Sequence, residues 1–156
     1  IRSMALIHQS LYLSNDFAQV NLSNVLEALI PALMQSYCVD HSQINYNFST
    51  TEVLLSINQA IPCGLIINEI ISNAFKHAFP DGRRGSITID LSYQPDGRVR
   101  LSISDDGVGI GENIDLKQTS TLGLQLVHLL ADQLGATLTI NRVDPTRFEI
   151  CFTQQK

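Results

Sequence analysis

Polar side chains that could bind a charged ligand recur one helical turn apart in the stretch NEIISNAFKHAFP, residues 68–80. Wound as an α-helix, the stretch places Glu69, Asn73 and His77 on one face, with Lys76 beside them. The apolar residues between them follow the three-to-four-residue spacing of a stripe that faces a core. The sequence therefore predicts a helix with one flank packed in the interior and the other flank facing something charged.

A second stretch with chemical potential is SISDDGVGIGEN, in which a predicted strand ends at Asp105 and three glycines follow. Glycines let the backbone approach a ligand closely, and a carboxylate at a strand end can accept a hydrogen bond from a ligand amine. A dinucleotide-binding turn would need glycine at position 112 with a helix directly after it, which Glu112 and the polar residues beyond it exclude. A GxxxxGK[ST] phosphate loop is also absent from the sequence. Taken alone, the stretch equally fits a glycine-rich hairpin loop.

A third stretch, TSTLGLQLV, has Gly123 in the first turn of a predicted helix. The free backbone N–H groups and the positive dipole end of such a turn favour phosphate binding. Many helices that only pack in a core begin in the same way, so this stretch alone does not identify a ligand.

Hydrophobic periodicity indicates which helices must position these residues. Helical spacing is strongest in NLSNVLEALIPALMQSY, where Pro31 should kink the helix or loosen its first half. The helix that carries Asn73 should have Pro62 in its first turn. The helix after the third stretch should be capped by Thr121 and stopped by Gly135.

Alternating residues predict the strands. INYNFS and EVLLSI are typical of short strands on either side of a turn at Thr50–Thr51. SITIDLSY and VRLSISD flank QPDGR, a hairpin signal, and TLTINRV and RFEICF form a last hairpin around Asp144–Pro145. The pattern predicts an α+β domain, a two-layer sandwich in which a mixed, mostly antiparallel sheet carries helices on one face.

Composition limits the classes of function. The 156 residues suffice for one domain, and ten basic against fifteen acidic residues give a net charge of −5, so affinity for nucleic acid or an anionic membrane is not expected. The three cysteines are scattered and odd in number, which indicates small buried hydrophobes in a reducing, cytoplasmic compartment. The four histidines lack metal-ligand spacing, and no apolar run approaches the roughly 20 residues of a membrane helix. Membrane parts could lie outside this piece of chain.

In their order and spacing, the three stretches together resemble the GHKL ATPases, the superfamily of DNA gyrase, the ninety-kilodalton heat-shock chaperone, MutL and the sensor histidine kinases. NEIISNAFKH is similar to the N box, DDGVGI to the G1 box and TLGLQLV to the G2 box. The finer resemblance, to the HisKA type 2 and HWE-like histidine kinases, covers essentially the whole chain, with SMALIHQSLY similar to the end of their dimerisation hairpin. It implies that residues 1–16 end a dimerisation helix and linker and that residues 17–156 form the ATP-binding catalytic domain.

For the base of ATP, the resemblance implies that Asp105 accepts a hydrogen bond from the exocyclic amine of adenine. Gly107 and Gly109 would let the loop lie against the base, and Ile110 would close an apolar pocket. Thr146 matches a threonine that supports the aspartate through a water molecule.

For the phosphates, the resemblance implies that Asn73 is both catalytic and a ligand of Mg²⁺ through its amide oxygen. Lys76 and His77 would contact the phosphates or the ribose, although a solvated helix face explains these two residues equally well. Glu69 would be the second catalytic residue, as the base that activates water in gyrase-like ATPases or, in kinases, as a group that orients Mg²⁺ or the acceptor. The next helix would contribute its start through Thr121, Gly123 and Leu124.

The chain departs from the family pattern in several places. STLG lacks a second glycine of the G2 box, the second Asp of DDG replaces a commoner Asn, and DPT stands where Gly-Thr is usual. The loop 111–121 has no evident phenylalanine box. These departures concern nucleotide affinity and the closing of this loop as a lid. We expect the loop to be mobile without nucleotide and more ordered when phosphates reach Gly123.

The resemblance implies the ATP-binding catalytic domain of a two-component sensor histidine kinase. It would pass the γ-phosphoryl group of ATP to a histidine on its own dimerisation domain, upstream of residue 1, for relay to a response regulator, and the full-length protein would be a homodimer. His8 would not be the acceptor. Two alternatives are a non-kinase ATP-driven switch that uses Glu69 for hydrolysis and a degenerate domain that binds only nucleotide or a partner.

Overall fold

The strands of the protein form two sheets. The computed structural model describes residues 19–37, 39–40, 42–110, 122–143 and 145–155. Numbered along the chain, its strands are β1 (Val20–Asn21), β2 (Ile44–Thr50), β3 (Leu54–Leu55), β4 (Gly85–Tyr93), β5 (Val99–Asp105), β6 (Thr137–Asn141) and β7 (Thr146–Phe152). A small sheet pairs β1 with β3, and the main sheet has the order β2–β4–β5–β7–β6. In the main sheet β2 runs parallel to β4 and the other pairings are antiparallel, so the predicted mixed sheet is confirmed.

The core lies between the main sheet and the helices. Within the described ranges, these are α1 (Leu22–Ser36), α2 (Ile57–Asn73) and α3 (Leu122–Leu134). Strand residues alternate, as in β4, where Ile87, Ile89 and Leu91 are buried. Because a period of two places such residues on one face, that face joins the apolar stripes of the helices in one core. The predicted two-layer α+β sandwich is confirmed.

The first helix has a side-chain cap. Asn21 is extended, and its side-chain oxygen accepts a hydrogen bond from the Ser23 N–H at 3.1 Å, which satisfies one of the free donors of the first turn. The helix continues through Pro31 to Ser36. The helical pattern before residue 19 lies outside the described residues.

The start of α2 corrects one prediction. The sequence places Pro62 in the first turn, but α2 begins at Ile57, and the N–H groups of Gln59 and Ala60 already bond to the Ser56 carbonyl oxygen at 3.0 and 2.8 Å. Pro62 is therefore in the second turn. Its missing N–H would have bonded the carbonyl of Asn58, close to the helix end, where the lost bond is tolerated.

The strands predicted around Thr50–Thr51 do not form a hairpin. β3 has only two residues and pairs with β1, whereas β2 pairs with β4. The Thr51 N–H donates to the Leu91 carbonyl oxygen at 2.9 Å, so the chain leaving β2 stays beside β4. The alternation of INYNFS predicted the face of this strand correctly but not its partner.

The other turns agree with the sequence. Gly97 in the β4–β5 hairpin and Gly135 after α3 have φ of +87° and +66°, a region that glycine adopts readily. Gly135 follows the last residue of α3, as predicted.

Cys63 is buried, which raises the pKa of its thiol, and Cys151 is partly exposed. Among the described residues, no helix is long and apolar enough to cross a membrane.

Candidate functional site

A cavity of about 290 Å³ opens where the end of α2 meets β5, β7 and the start of α3. Its walls are mainly apolar, with a few polar groups that converge on it, as is typical of a ligand site. The lining residues are Ile70, Asn73, Ala74, His77, Ala78, Asp105, Gly109, Ile110, Leu124, Thr146 and Phe148. Seven residues predicted to bind nucleotide are therefore brought together: Asn73, His77, Asp105, Gly109, Ile110, Leu124 and Thr146.

Asp105, the last residue of β5, supplies the carboxylate of the cavity. Its Oδ1 atom accepts a hydrogen bond from the Gly107 N–H at 2.9 Å. Burial raises the pKa of this carboxyl, the bond from Gly107 opposes the rise, and the charge of Asp106 adds to it. A carboxylate that is costly to desolvate favours a ligand that donates a hydrogen bond to it.

The glycines after Asp105 are needed because other backbone segments lie against them. A Cβ atom on Gly107 would be 2.3 Å from the Ala78 carbonyl oxygen, which also accepts the Val108 N–H at 2.9 Å. Gly109 has φ of +85°, and a Cβ atom there would be 2.8 Å from the Arg142 carbonyl oxygen. The segment is therefore no free hairpin loop: it is held between the end of α2 and the β6–β7 connection. Gly107 supports the cavity without lining it.

Thr146 lies directly opposite Asp105 in the pairing of β5 with β7. Its side chain is 6% exposed, and its hydroxyl donates to the Arg142 carbonyl oxygen at 3.1 Å. The same carbonyl accepts the Ile110 N–H at 2.8 Å. The Arg142 carbonyl oxygen thus connects Thr146 and Ile110, which both line the cavity. A water-mediated hydrogen bond from Thr146 to Asp105 remains a prediction.

The end of the second helix differs from the predicted regular α-helix. After Asn73 the chain forms one π-helical turn, Ala74–Ala78, in which hydrogen bonds span one residue more than in an α-helix. Asn73 and His77 both line the cavity, but Lys76 does not. Nothing in the residue types AFKHA signals this change of register.

Lys76 faces a different surface. Its ammonium nitrogen lies 5.6 Å from the centroid of the Tyr37 ring, a cation–π distance, and the Phe75 ring centroid is 6.1 Å from the same ring. The predicted contact of Lys76 with phosphates therefore requires its side chain to move.

Glu69 and Asn73 meet the start of α3 at Gly123. A Cβ atom on Gly123 would be 2.5 Å from Glu69 Oε2 and 3.8 Å from Asn73 Nδ2. Glycine at this position lets the carboxylate of Glu69 lie against the start of α3, and a larger residue would displace it. The first and third sequence stretches are thus in contact, although neither Glu69 nor Gly123 lines the cavity. Thr121 and the loop 111–121 lie outside the described residues.

The described part of the chain offers few protein ligands for a metal ion at the cavity. Residues 19–37, 39–40, 42–110, 122–143 and 145–155 contain no group of three His, Cys, Asp or Glu side chains placed to hold a metal ion. Asn73, at the cavity wall, offers an amide oxygen, a donor type that Mg²⁺ accepts together with phosphate oxygens.

Some wall residues were missed by the sequence analysis. Phe148 lies two residues after Thr146 on β7, so the strand alternation could have found it. Ile70 and Ala74 belong to the predicted apolar stripe of α2 and form the wall beside Asn73. The carbonyl groups of Ala78 and Arg142 leave no side-chain signal and could not be predicted.

Comparisons with known proteins agree with this geometry. Residues 58–156 match the family model of the histidine kinase-, DNA gyrase B-, and HSP90-like ATPases, and residues 1–37 match a histidine kinase model. The sensor histidine kinase PdtaS of Mycobacterium tuberculosis is 32% identical over 131 residues, which are 83% of this chain and 26% of that protein. Blue-light-activated histidine kinase 2 of Erythrobacter litoralis is 32% identical over 99 residues, 64% of this chain and 29% of that protein.

A solved structure is similar over nearly the whole chain. The histidine kinase domain of the blue-light-activated kinase EL346 of Erythrobacter litoralis superposes with a TM-score of 0.86 at 25% identity and covers 98% of this chain and 72% of that one. The chain spans about a quarter of the length of the curated relatives named above.

Proposed function

This chain belongs to the histidine kinase-, DNA gyrase B-, and HSP90-like ATPase family, and we propose that it serves as the catalytic domain of a two-component sensor histidine kinase. The predicted resemblance and the fold are confirmed, and the domain is an ATP-binding domain similar to those of sensor histidine kinases. The match of residues 1–37 to a histidine kinase model supports a kinase over a hydrolytic switch.

The observation that carries the proposal is the position of Asp105. Its half-buried carboxylate lies in the wall of a mainly apolar cavity that also contains Asn73 and Leu124. Adenine is apolar on its faces and presents an exocyclic amine at one edge, so its amine would donate to Asp105 while its ring packs on Ile110. Guanine offers a carbonyl at the corresponding position and would bind poorly.

The phosphates would extend from this base toward Asn73 and α3. The free N–H groups of the first turn of α3, at Gly123 and Leu124, favour negative charge. Asn73 would hold Mg²⁺ jointly with the phosphate oxygens, and the metal would neutralise charge on the transferred group. His77 lines the cavity, and Lys76 would reach the phosphates after leaving Tyr37.

Transfer would then consist of positioning and charge neutralisation. The bond from the γ-phosphorus to the bridging oxygen of ADP breaks, and a bond to an imidazole nitrogen of the acceptor histidine forms. Glu69, held beside Gly123 and Asn73, would orient the metal or the acceptor.

The remaining assignments concern the longer protein. We propose that residues 1–16 end the dimerisation helix and linker and that residues 17–156 form the catalytic domain. The partners would be the chain's own phosphoacceptor domain, a second copy in a homodimer and a response regulator. A cytoplasmic location fits phosphate relay of this kind, and any membrane anchor would lie outside these residues.

Radiolabelled ATP tests the proposal. The isolated fragment should bind Mg-ATP, hydrolyse it slowly and gain no stable phosphate. Addition of a separately made dimerisation domain should give an acid-labile, base-stable phosphohistidine on that domain. Both reactions should be run with the wild type and with Glu69→Ala. Fast, Glu69-dependent ATP hydrolysis by the isolated fragment would refute the kinase assignment and favour the hydrolytic switch.

A further inference from the structure

The residue after the adenine-binding candidate has more backbone partners than the predicted site explains. Asp106 Oδ1 accepts the Ser86 N–H at 2.7 Å, and the Asp106 N–H donates to the Ser86 carbonyl oxygen at 3.3 Å. The Asp106 carbonyl oxygen accepts from the Arg83 guanidinium at 3.1 Å. Three polar groups of this one residue are therefore bound to the segment 83–86.

That segment is itself fixed to the rest of the fold. The Gly85 N–H donates to the Gln43 carbonyl oxygen at 3.0 Å, and the Gln43 side chain donates to the Arg83 carbonyl oxygen at 3.1 Å. A Cβ atom on Gly85 would be 2.2 Å from the ring of Phe79, which is buried, and 2.5 Å from Asp106 Oδ1. Phe79 and the Asp106 carboxylate therefore both occupy the space of a Gly85 side chain, while Gln43 holds the segment through backbone groups.

We propose that Asp106 is a positioning residue, which braces the backbone of the Asp105 segment against residues 83–86 so that the Asp105 carboxylate meets the adenine base. This rests on the proposed function, since it names a further determinant of nucleotide binding at the same site. Asp106 is exposed and does not line the cavity, so it acts through its neighbour.

Asp106 acts on Asp105 in two separable ways. Its hydrogen bonds fix the backbone, and its negative charge also disfavours ionisation of Asp105, whose pKa is raised mainly by burial. An asparagine at this position would keep the acceptor oxygen and lack the charge. His77 lines the cavity, and the Arg83 guanidinium donates to the Asp106 carbonyl oxygen. Neither residue is substituted in the variants below.

Two substitutions separate these effects. Asp106→Asn keeps the bond to Ser86 and removes the charge, whereas Asp106→Ala removes both. Asp132→Asn, on the exposed side of α3, is the matched control for loss of one surface carboxylate. ADP binding to each full fragment would be measured by calorimetry between pH 5 and pH 8.

We expect Asp106→Ala to weaken ADP binding about 3- to 10-fold, the usual effect of one lost hydrogen bond. Asp106→Asn should bind within about 2-fold of the wild type at neutral pH and keep its affinity to lower pH. Asp132→Asn should match the wild type throughout. Wild-type ADP affinity in Asp106→Ala, or an equal loss of ADP affinity in both Asp106 variants, would refute the positioning role of Asp106.

A measurement without nucleotide separates this proposal from the proposed function. Carbon-13 NMR of the Asp105 carboxyl should give a lower pKa in Asp106→Asn than in the wild type, and the amide signals of residues 107–110 should broaden in Asp106→Ala alone. If the wild type fails to bind ADP but these spectra change as described, the proposed function is refuted and the positioning role of Asp106 is supported. Unchanged spectra in both variants refute the positioning role of Asp106, whether or not ADP binds.

Discussion

The two ends of the cavity are held in different ways. At the proposed base end, Asp105, Ile110 and Thr146 are fixed through hydrogen bonds to backbone groups. Near the proposed phosphate end, His77 is exposed, and Lys76, which does not line the cavity, lies on the Tyr37 ring. We expect the proposed base end to be formed before a ligand binds and the proposed phosphate end to require movement of side chains. Substitutions at the proposed base end should therefore change nucleotide affinity and selectivity, and those at the proposed phosphate end should change phosphoryl transfer or the binding of phosphates.

The strongest test of this division is Asn73→Ala. Phosphoryl transfer to the acceptor histidine, measured with radiolabelled ATP in full-length protein, should fall by at least about 100-fold, because one group that stabilises charge in the transition state is lost. ADP binding should change only a few-fold, since the base end is intact. Asn58→Ala, on the exposed first turn of the same helix, is the control and should leave both unchanged. Normal phosphoryl transfer by Asn73→Ala would refute the proposal that Asn73 binds the metal ion.

Asp105→Asn tests the base end. The change should weaken ATP binding about 10-fold, because a neutral amide oxygen accepts the adenine amine about half as strongly as a carboxylate does. Because an amide can also donate to the guanine carbonyl, the preference for ATP over GTP should shrink. Calorimetry with both nucleotides measures this change. Equal binding of ATP and GTP by the wild type would refute the adenine assignment.

The pH dependence of binding reports on the same carboxyl. Its raised pKa means that the ionised form is costly in the folded protein without nucleotide, so this contribution to stability is present at low pH and lost as pH rises through the folded pKa. Adenine needs the ionised form, so adenosine affinity should fall on acidification from a higher pH than an ordinary aspartate would give, approaching tenfold per pH unit. Asp105→Asn, measured in parallel, should lack this component. A wild-type profile identical to that of the variant contradicts the assignment.

Tyr37→Leu gives the smallest expected effect and tests the phosphate end. Loss of the ring releases Lys76 from a contact worth about 0.5–1 kcal/mol at an exposed position, so ATP should bind about 2- to 5-fold more tightly. Adenosine affinity should not change, because it lacks phosphates. In a Lys76→Ala background the same substitution should have no effect on ATP binding. A gain that persists there would mean that Tyr37 acts by another route.

The sequence predicted the positions of Asp105 and Thr146 at the cavity but not the direction of Lys76, for a physical reason. Asp105 ends a strand whose alternation is clear, and Thr146 begins the strand paired with it, so both positions follow from a period of two. The direction of Lys76 depends on the register of backbone hydrogen bonds after Asn73, which the polarity pattern does not contain. A π turn and an α turn of AFKHA have the same composition.

Strand partners were also beyond the sequence. Alternation in residues 44–50 places Ile44, Tyr46 and Phe48 on one face but carries no information on which strand lies beside them. The parallel pairing of β2 with β4 depends on the long connection through α2. The sequence predicts too late a start for α2 because Pro62 favours a first turn without requiring one.

The π turn at Ala74–Ala78 has a consequence for how the chain length can vary. A helix with such a turn contains one residue more than an α-helix of the same rise would hold. Deletion of one of the five residues would therefore give a regular α turn of the same rise, and the chain beyond it would keep its direction. The Ala78 carbonyl would stay close to Gly107 and Val108, and Phe79 close to Gly85. Loss of one residue is therefore better tolerated in this turn than in the regular part of α2, where it would rotate the chain beyond it by about 100°.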